Sequence, residues 1–140
     1  MPIARKTRLA VAALLELAQE PGHQPLPMIS ARLRVSVSYL ELLFSRLRRG
    51  GLVRSTRGPG GGYCLARAPE QITVQDVVAA VHADDEPARD GAKQGTQPDG
   101  ARIVVCWDEF EQSAVRFLSS ISLCDIIDAH RRGAWLAAAA

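Results

Sequence analysis

Thiols are scarce in this chain of 140 residues: only Cys64, Cys106 and Cys124 are present, too few and too scattered for a disulfide framework. The odd count leaves at least one free, and a reducing, cytoplasmic setting fits that usage. Long apolar runs are lacking as well. The longest near the start, Leu9 to Leu15, stops at Glu16 and falls well short of the roughly 18 residues that a membrane span needs. Arg5, Lys6 and Arg8 before it imitate the basic start of an export signal, but no small-residue cleavage site follows before Pro21, so export is not expected. Groupings able to do catalysis are equally thin. His23, His82 and His130 fall in unrelated elements without metal-ligand spacing, and no Ser or Cys sits in a recognised nucleophile turn. An enzyme is therefore not expected.

What the chain does have is charge, unevenly divided. A formal net charge of +2 hides a basic first half: residues 1–69 carry 11 Lys/Arg against 3 Asp/Glu, whereas residues 70–140 carry 6 against 12. A basic module joined to an acidic one is what binding to a phosphate backbone would produce, although a solvated basic face without a partner would look the same. With 47% hydrophobic residues the chain can build one compact core, and it is too short for two full domains of ordinary size.

Along the chain, Thr7, Ala10, Val11, Leu14, Leu17 and Ala18 recur at helical spacing within residues 4–19. Pro21 and Gly22 end that helix, and Pro25 and Pro27 are expected to delay the next until Met28. A short helix from Met28 to Arg34 turns inward Ile29 and Leu33, the chain turns tightly at Val35, and Ser36 caps a third helix through Arg49. Gly50-Gly51 stops it. Leu52–Ser55 and Tyr63–Ala66 read as strands joined by the glycine-rich turn from Thr56 to Gly62. Thr73 with Asp76 forms a capping box for a helix from Val74 to His82, expected to brace the hairpin. Residues 83–102, nearly devoid of apolar side chains, are expected to form a mobile loop. From Val104 a helical pattern returns, and Trp107, Phe110, Ala114, Phe117 and Ile121 make an a/d seam that wants a partner helix. Ser122 with Asp125 starts a last short helix to about Asp128.

This order predicts a mainly α fold with a small β-hairpin, a winged helix-turn-helix plus a long dimerisation helix. Its segments are residues 1–82 for the DNA-binding module, 83–102 for the loop, 103–128 for the dimerisation helix and its short successor, and 129–140 for the tail. On the third helix Leu40, Leu43, Phe44 and Leu47 share one face, while Ser38, Glu41, Leu42, Ser45 and Arg49 share the other. An apolar inner face with a short polar outer face suits a major groove. Glu41 accepts from cytosine N4, orients a neighbouring Arg, or merely supports Ser38 as a capping partner. In the wing, Arg57 precedes Gly58-Pro59-Gly60-Gly61-Gly62, a tip with almost no side chains that can press against a sugar-phosphate wall while the Arg enters a narrow minor groove. It is not a nucleotide phosphate loop, because no Lys-Ser/Thr follows and Tyr63-Cys64-Leu65 continues as strand.

Ser38-Tyr39-Leu40-Glu41, Leu43-Phe44-Ser45-Arg46-Leu47-Arg48, Gly51-Leu52-Val53 and Arg57-Gly58-Pro59-Gly60-Gly61-Gly62-Tyr63 together closely resemble the IscR-type family of bacterial regulators. The resemblance extends over nearly the whole chain, through Phe117-Leu118-Ser119-Ser120-Ile121-Ser122-Leu123. It implies a homodimeric regulator of transcription, a repressor by default, that binds a pseudo-palindromic double-stranded operator. Operator contacts are implied for Ser38, Tyr39 and Glu41, and minor-groove entry for Arg57. Several family members carry a [2Fe–2S] or [4Fe–4S] cluster on three cysteines in the loop before the long helix. This sequence departs from that pattern: residues 83–105 contain no cysteine, and a cluster needs converging thiolates. No cofactor or metal is therefore expected; a cluster with unusual ligands and a thiol switch at Cys106, near a helix start, are the alternatives. A winged helix reused for protein contact is the rival of another class, and the arginines beside the open tip, Arg49, Arg54 and Arg57, favour nucleic acid over it.

Overall fold

The computed structural model describes residues 5–85 and 100–132, with side chains in the second stretch described at Glu109 and from Glu111 onward. In chain order the elements are α1 (Arg5–Gln19), α2 (Leu26–Leu33), α3 (Val37–Arg49), β1 (Val53–Thr56), β2 (Gly62–Leu65), a 3-10 turn (Pro69–Gln71), α4 (Val74–His82), α5 (Gly100–Ser119) and α6 (Leu123–Arg131). The architecture is the expected one, helical with a single antiparallel hairpin among the described residues.

Helix α1 buries Thr7, Ala10, Ala13, Leu14 and Leu17, one stripe at 3.6-residue spacing. Helix α2 begins at Leu26, two residues before the expected Met28. A proline in the first turn costs nothing there, since its missing N–H would have had no intrahelical partner. Pro25 takes the extended N-cap position, Pro27 lies in the first turn, and Leu26 is buried beside Ile29. Arg34 closes α2 in the left-handed region at φ 55°, its N–H bonded to the Ser30 carbonyl. That conformation, which costs a non-glycine residue on the order of 1 kcal/mol, reverses the chain within three residues. The Ser36 hydroxyl then accepts from the Tyr39 N–H at 3.2 Å and starts α3. Leu40, Leu43, Phe44 and Leu47 are all buried on the inner face of α3, as expected. Each contributes roughly 2–3 kcal/mol of hydrophobic stabilisation before entropy is charged against it.

Both strands lie one residue from their expected bounds, paired as Val53↔Leu65 through Thr56↔Gly62. Leu52 is drawn off because its N–H bonds the Leu47 carbonyl at 3.0 Å, finishing α3, while its carbonyl accepts from Ala66. The hairpin rests on α1 and α3, and α4 packs on α1, α3 and α5 rather than bracing it. Tyr63 anchors the hairpin. Its ring meets Phe44 at 4.8 Å between centroids and 59° between planes, a favourable tilted contact. Its backbone exchanges two 2.9 Å hydrogen bonds with Gln24 in the loop between α1 and α2. The neighbouring Gly62 sits at φ +149°, and a Cβ there would lie 2.3 Å from the Gln24 carbonyl oxygen. Only glycine allows this approach.

The two capping boxes stand back to back: Thr73 pairs with Ser122, Val74 N–H bonds the Ile121 carbonyl, and Leu123 N–H bonds the Ile72 carbonyl, both at 2.9 Å. Leu123 is fully buried in the same core as α1 and α3. Helix α5 ends at Ser119, so Ile121 lies beyond it rather than on its seam. The hydroxyls of Ser119 and Ser120 donate to the Val115 and Phe117 carbonyls and finish the helix. At its other end α5 starts at Gly100, four residues earlier than expected, and α6 runs on to Arg131. Residues 83–85 are not loose. Asp85 bonds Lys6 and, at 2.7 Å, His82 Nδ1, while His82 Nε2 meets the Thr7 hydroxyl at 3.0 Å. Arg46 donates to the Val81 carbonyl at 2.6 Å and lies 3.5 Å from Asp85 and 3.8 Å from Asp84. The rest of the expected loop, residues 86–99, lies outside the described residues.

Two stability predictions follow from these contacts. Gly62→Ala, which adds a steric clash to an unfavourable φ, costs roughly 2 kcal/mol, against about 1 for Gly60→Ala, whose Cβ would meet open space. Thermal unfolding followed by circular dichroism should put the Gly62 variant's Tm clearly below that of the Gly60 variant. The second concerns acid. Lys6 first, and then His82, hold the Asp85 carboxyl at about 2 against an ordinary 3.8. A depressed carboxylate stabilises the fold above its unfolded value and loses that contribution as pH falls through the folded one. Wild type should therefore exceed Asp85→Asn in denaturant midpoint above pH 4, and the two should converge as pH approaches 2.

Candidate nucleic-acid interface

Helix α3 keeps one face for the core and offers the other. Ser38, Tyr39, Glu41 and Leu42 are exposed around its first two turns, and Ser45 is half-buried one turn on. Leu42, 49% exposed, and Tyr39, 37% exposed, are large side chains for a free surface. Each stands beside a polar group, a combination that suits thymine methyls and phosphates. Ser36 alone caps the helix, so Glu41 is not needed to support Ser38 as a capping partner. Its carboxylate has no ion-pair partner among the described residues.

The wing carries the second group. Arg54, Arg57, Gly58, Pro59 and Gly60 are exposed, and Gly61, half-buried, closes the turn with its N–H on the Gly58 carbonyl at 2.9 Å. A Cβ on Gly61 would come within 2.4 Å of the Thr56 carbonyl oxygen, so a side chain there would open the turn. Arg57 has no ion-pair partner among the described residues. An unneutralised guanidinium next to a side-chain-free tip is the chemistry that a narrow, strongly negative minor groove attracts.

Arg49 is placed differently. It lies at the far end of α3, three turns from Ser38, and forks onto Asp84. Its charge is partly neutralised within the chain. Other residues were not singled out by sequence reasoning. Arg48 bridges α3 to β1 through the Ser55 hydroxyl at 3.4 Å, and Arg34 stands exposed in the turn between α2 and α3. The first depends on how the strand folds back against α3 and the second on a left-handed backbone at Arg34, and hydrophobic periodicity marks neither.

Of the residues expected in the partner-seeking seam, Phe117 is 65% exposed, and Val115, which was not on it, is 43% exposed. Ala114 and Ile121 are half-buried. The side chains of Trp107, Phe110 and Cys106 lie outside the described residues. Phe117 and Leu118 border an apolar groove completed by Val11, Val74 and Ile126.

The remaining thiols are separate. Cys64 sits in β2 beside His23, and Cys124 opens α6 beside Asp128. Among the described residues no three His, Cys, Asp or Glu side chains converge as a metal cage would require. Residues 86–99 add carboxylates but neither thiol nor imidazole. The side chains of Cys106 and Asp108 lie outside the described residues, and residues 83–105 offer no thiol to hold a cluster.

Comparison with known proteins agrees with the fold. The family model described as "Rrf2: Iron-dependent Transcriptional regulator" matches residues 3–129. The HTH-type transcriptional regulator IscR of Xenorhabdus nematophila is 42% identical over 130 residues, covering 91% of this chain and 79% of the relative. Among solved structures, T. potens IscR superposes with a TM-score of 0.72 at 31% identity, over 93% of this chain and 88% of that one. CymR, the global cysteine regulator of B. subtilis, gives 0.70 at 30%, over 90% and 95%. The relatives are regulators and not enzymes, and no helix among the described residues is long and apolar enough to cross a membrane. With its basic wing set beside a half-exposed third helix, the chain belongs to the Rrf2 family and is a winged-helix, DNA-binding regulator of transcription of the IscR type.

Proposed function

We propose that the protein is a homodimeric repressor that reads a pseudo-palindromic operator with two copies of α3 in successive major grooves and two wings in the flanking minor grooves. In this reading Ser38, Tyr39, Glu41 and Ser45 meet base edges and phosphates. Arg57 enters the minor groove while Gly58, Pro59, Gly60 and Gly61 lie along its wall. Arg49 contributes only when Asp84 releases it. The observation that carries the reading is the pairing of an exposed Ser38-Tyr39-Glu41 face with an uncompensated Arg57 on one rigidly joined unit. The exposed Phe117 supports α5 as the dimer helix, with Trp107, Phe110 and Ala114 sharing its seam and Ile121 capping its end. The reading includes no cysteine-held cluster. The absence of thiols from residues 83–105 supports that part of it. A cytoplasmic protein follows, since its partner is the chromosome.

The test uses an operator recovered by selection from random duplexes. Arg57→Ala should weaken binding about tenfold or more across every operator variant, because a minor-groove or phosphate contact carries little base information. Glu41→Ala should cost less affinity but flatten the preference at one base pair by roughly 1–3 kcal/mol. Fluorescence anisotropy on a set of single-base operator variants measures both. An Arg57 variant with wild-type affinity removes the wing from the mechanism, and an unchanged ranking of operators removes Glu41 from base readout.

A further inference from the structure

One reactive cluster lies outside the residues assigned to DNA, and three separate segments build it. His23 comes from the loop between α1 and α2, Thr56 ends β1, and Cys64 lies in the middle of β2. His23 Nε2 stands 2.7 Å from the Thr56 hydroxyl and 3.5 Å from Cys64 Sγ. The backbone enforces this meeting. Gln24, next to His23, is locked to Tyr63, next to Cys64, by two 2.9 Å hydrogen bonds, and Gly62 leaves no slack between the same two strands of chain. His23 and Thr56 are exposed and Cys64 is half-buried, so the cluster borders solvent. Arg54 pairs directly opposite Cys64 in the ribbon, and residues directly opposite share a face. The thiol thus has a base in contact and a cation as neighbour.

We infer that Cys64 is a modification site that forms a mixed disulfide with a small anionic disulfide, with His23 carrying the proton, and that the adduct releases the protein from DNA. The release step rests on the DNA-binding reading above. In the exchange, the Thr56 hydroxyl turns its proton away, the freed lone pair of His23 Nε2 takes the proton from Cys64 Sγ while the Thr56 oxygen accepts the resulting N–H, and the sulfur attacks one sulfur of the incoming disulfide. A new S–S bond forms as the old one breaks, and the departing thiolate takes the proton back from the imidazolium. Cys64 is oxidised and the leaving sulfur is reduced, with no other reagent required. Arg54 favours a carboxylate-bearing partner over a neutral one. The consequence for DNA is steric and electrostatic together. An adduct on Cys64 displaces His23 from a wing base that has no spare room, and it sets new carboxylates beside Arg54 and Arg57, where a phosphate wall would lie. Cys124 does not compete on equal terms: burial pushes its thiol up, and the Asp128 and Glu70 carboxylates add to the effect, so less of it is thiolate.

The test exposes the full-length chain to oxidised glutathione at neutral pH, with intact-mass analysis, peptide mapping and anisotropy on the selected operator. The expected result is one glutathionyl group on Cys64, a DNA affinity lower by at least about tenfold, and recovery on reduction. Cys64→Ser should keep its affinity throughout. His23→Gln should bind DNA normally before treatment and take up the group several-fold more slowly. The inference is overturned if Cys106 or Cys124 reacts first, if the His23 variant reacts at the wild-type rate, or if full modification leaves affinity unchanged. Untreated protein that does not bind duplex DNA would overturn the DNA reading and the release step with it. The mapped positions and exchange rates would still decide the site.

Discussion

The contact between Phe44 and Tyr63 ties the two DNA-facing parts of this protein to each other. Phe44 sits on the buried side of α3, behind the turn that carries the exposed Glu41 and the half-buried Ser45, and Tyr63 lies in the returning strand of the wing. The Gln24 backbone holds Tyr63 from the other side. Because the interior is close-packed, the helix proposed to enter one groove and the hairpin proposed to enter the next cannot shift independently. A regulator that reads two grooves at once needs that fixed spacing more than it needs any single contact, since ordering flexible parts on binding would consume affinity. Gly62 is the residue that makes the spacing possible, by letting strand and loop approach more closely than any side chain permits.

The division of charge has a structural sequel. Part of the acidic half folds back on the basic half: Asp84 and Asp85 take up Arg46, Arg49 and Lys6 around the C-terminal ends of α3 and α4. Positive charge without such compensation is left at the wing and at the turn before α3, where Arg54, Arg57 and Arg34 stand exposed. Any event that draws Asp84 and Asp85 away would release further cations near the recognition helix, and those two residues directly precede the segment 86–99.

Much of this was legible in the sequence, because the signals were local. Ser36, Thr73 with Asp76, and Ser122 with Asp125 announced three helix starts, and all three caps form. The inner face of α3 followed from its 3.6-residue period. Errors arose where one local rule competed with another or with a distant contact. Pro25 and Pro27 read as a delay to α2, yet first-turn positions tolerate proline. Leu52 read as strand, yet its N–H is spent on closing α3. Ile121 continued the spacing of Trp107 and Phe117, but the serines at 119 and 120 had already ended the helix. The placement of Arg46 and Arg49 against Asp84, and of His23 against Cys64, spans 35 or more residues, and no periodicity encodes it. In the sequence Cys64 stands only as a residue of the returning strand, and nothing local marks the loop that brings His23 to it.

The central claim is that α3 and the wing act as one two-groove reader, presented twice by a dimer. A hydroxyl-radical footprint on the selected operator tests this most directly, because it reports backbone protection base by base. The account predicts two protected half-sites, centres about one helical turn apart or a multiple of it, each flanked by a shorter protected patch in the minor groove. Protection of one half-site alone, or of major-groove segments without the flanking patches, would contradict it.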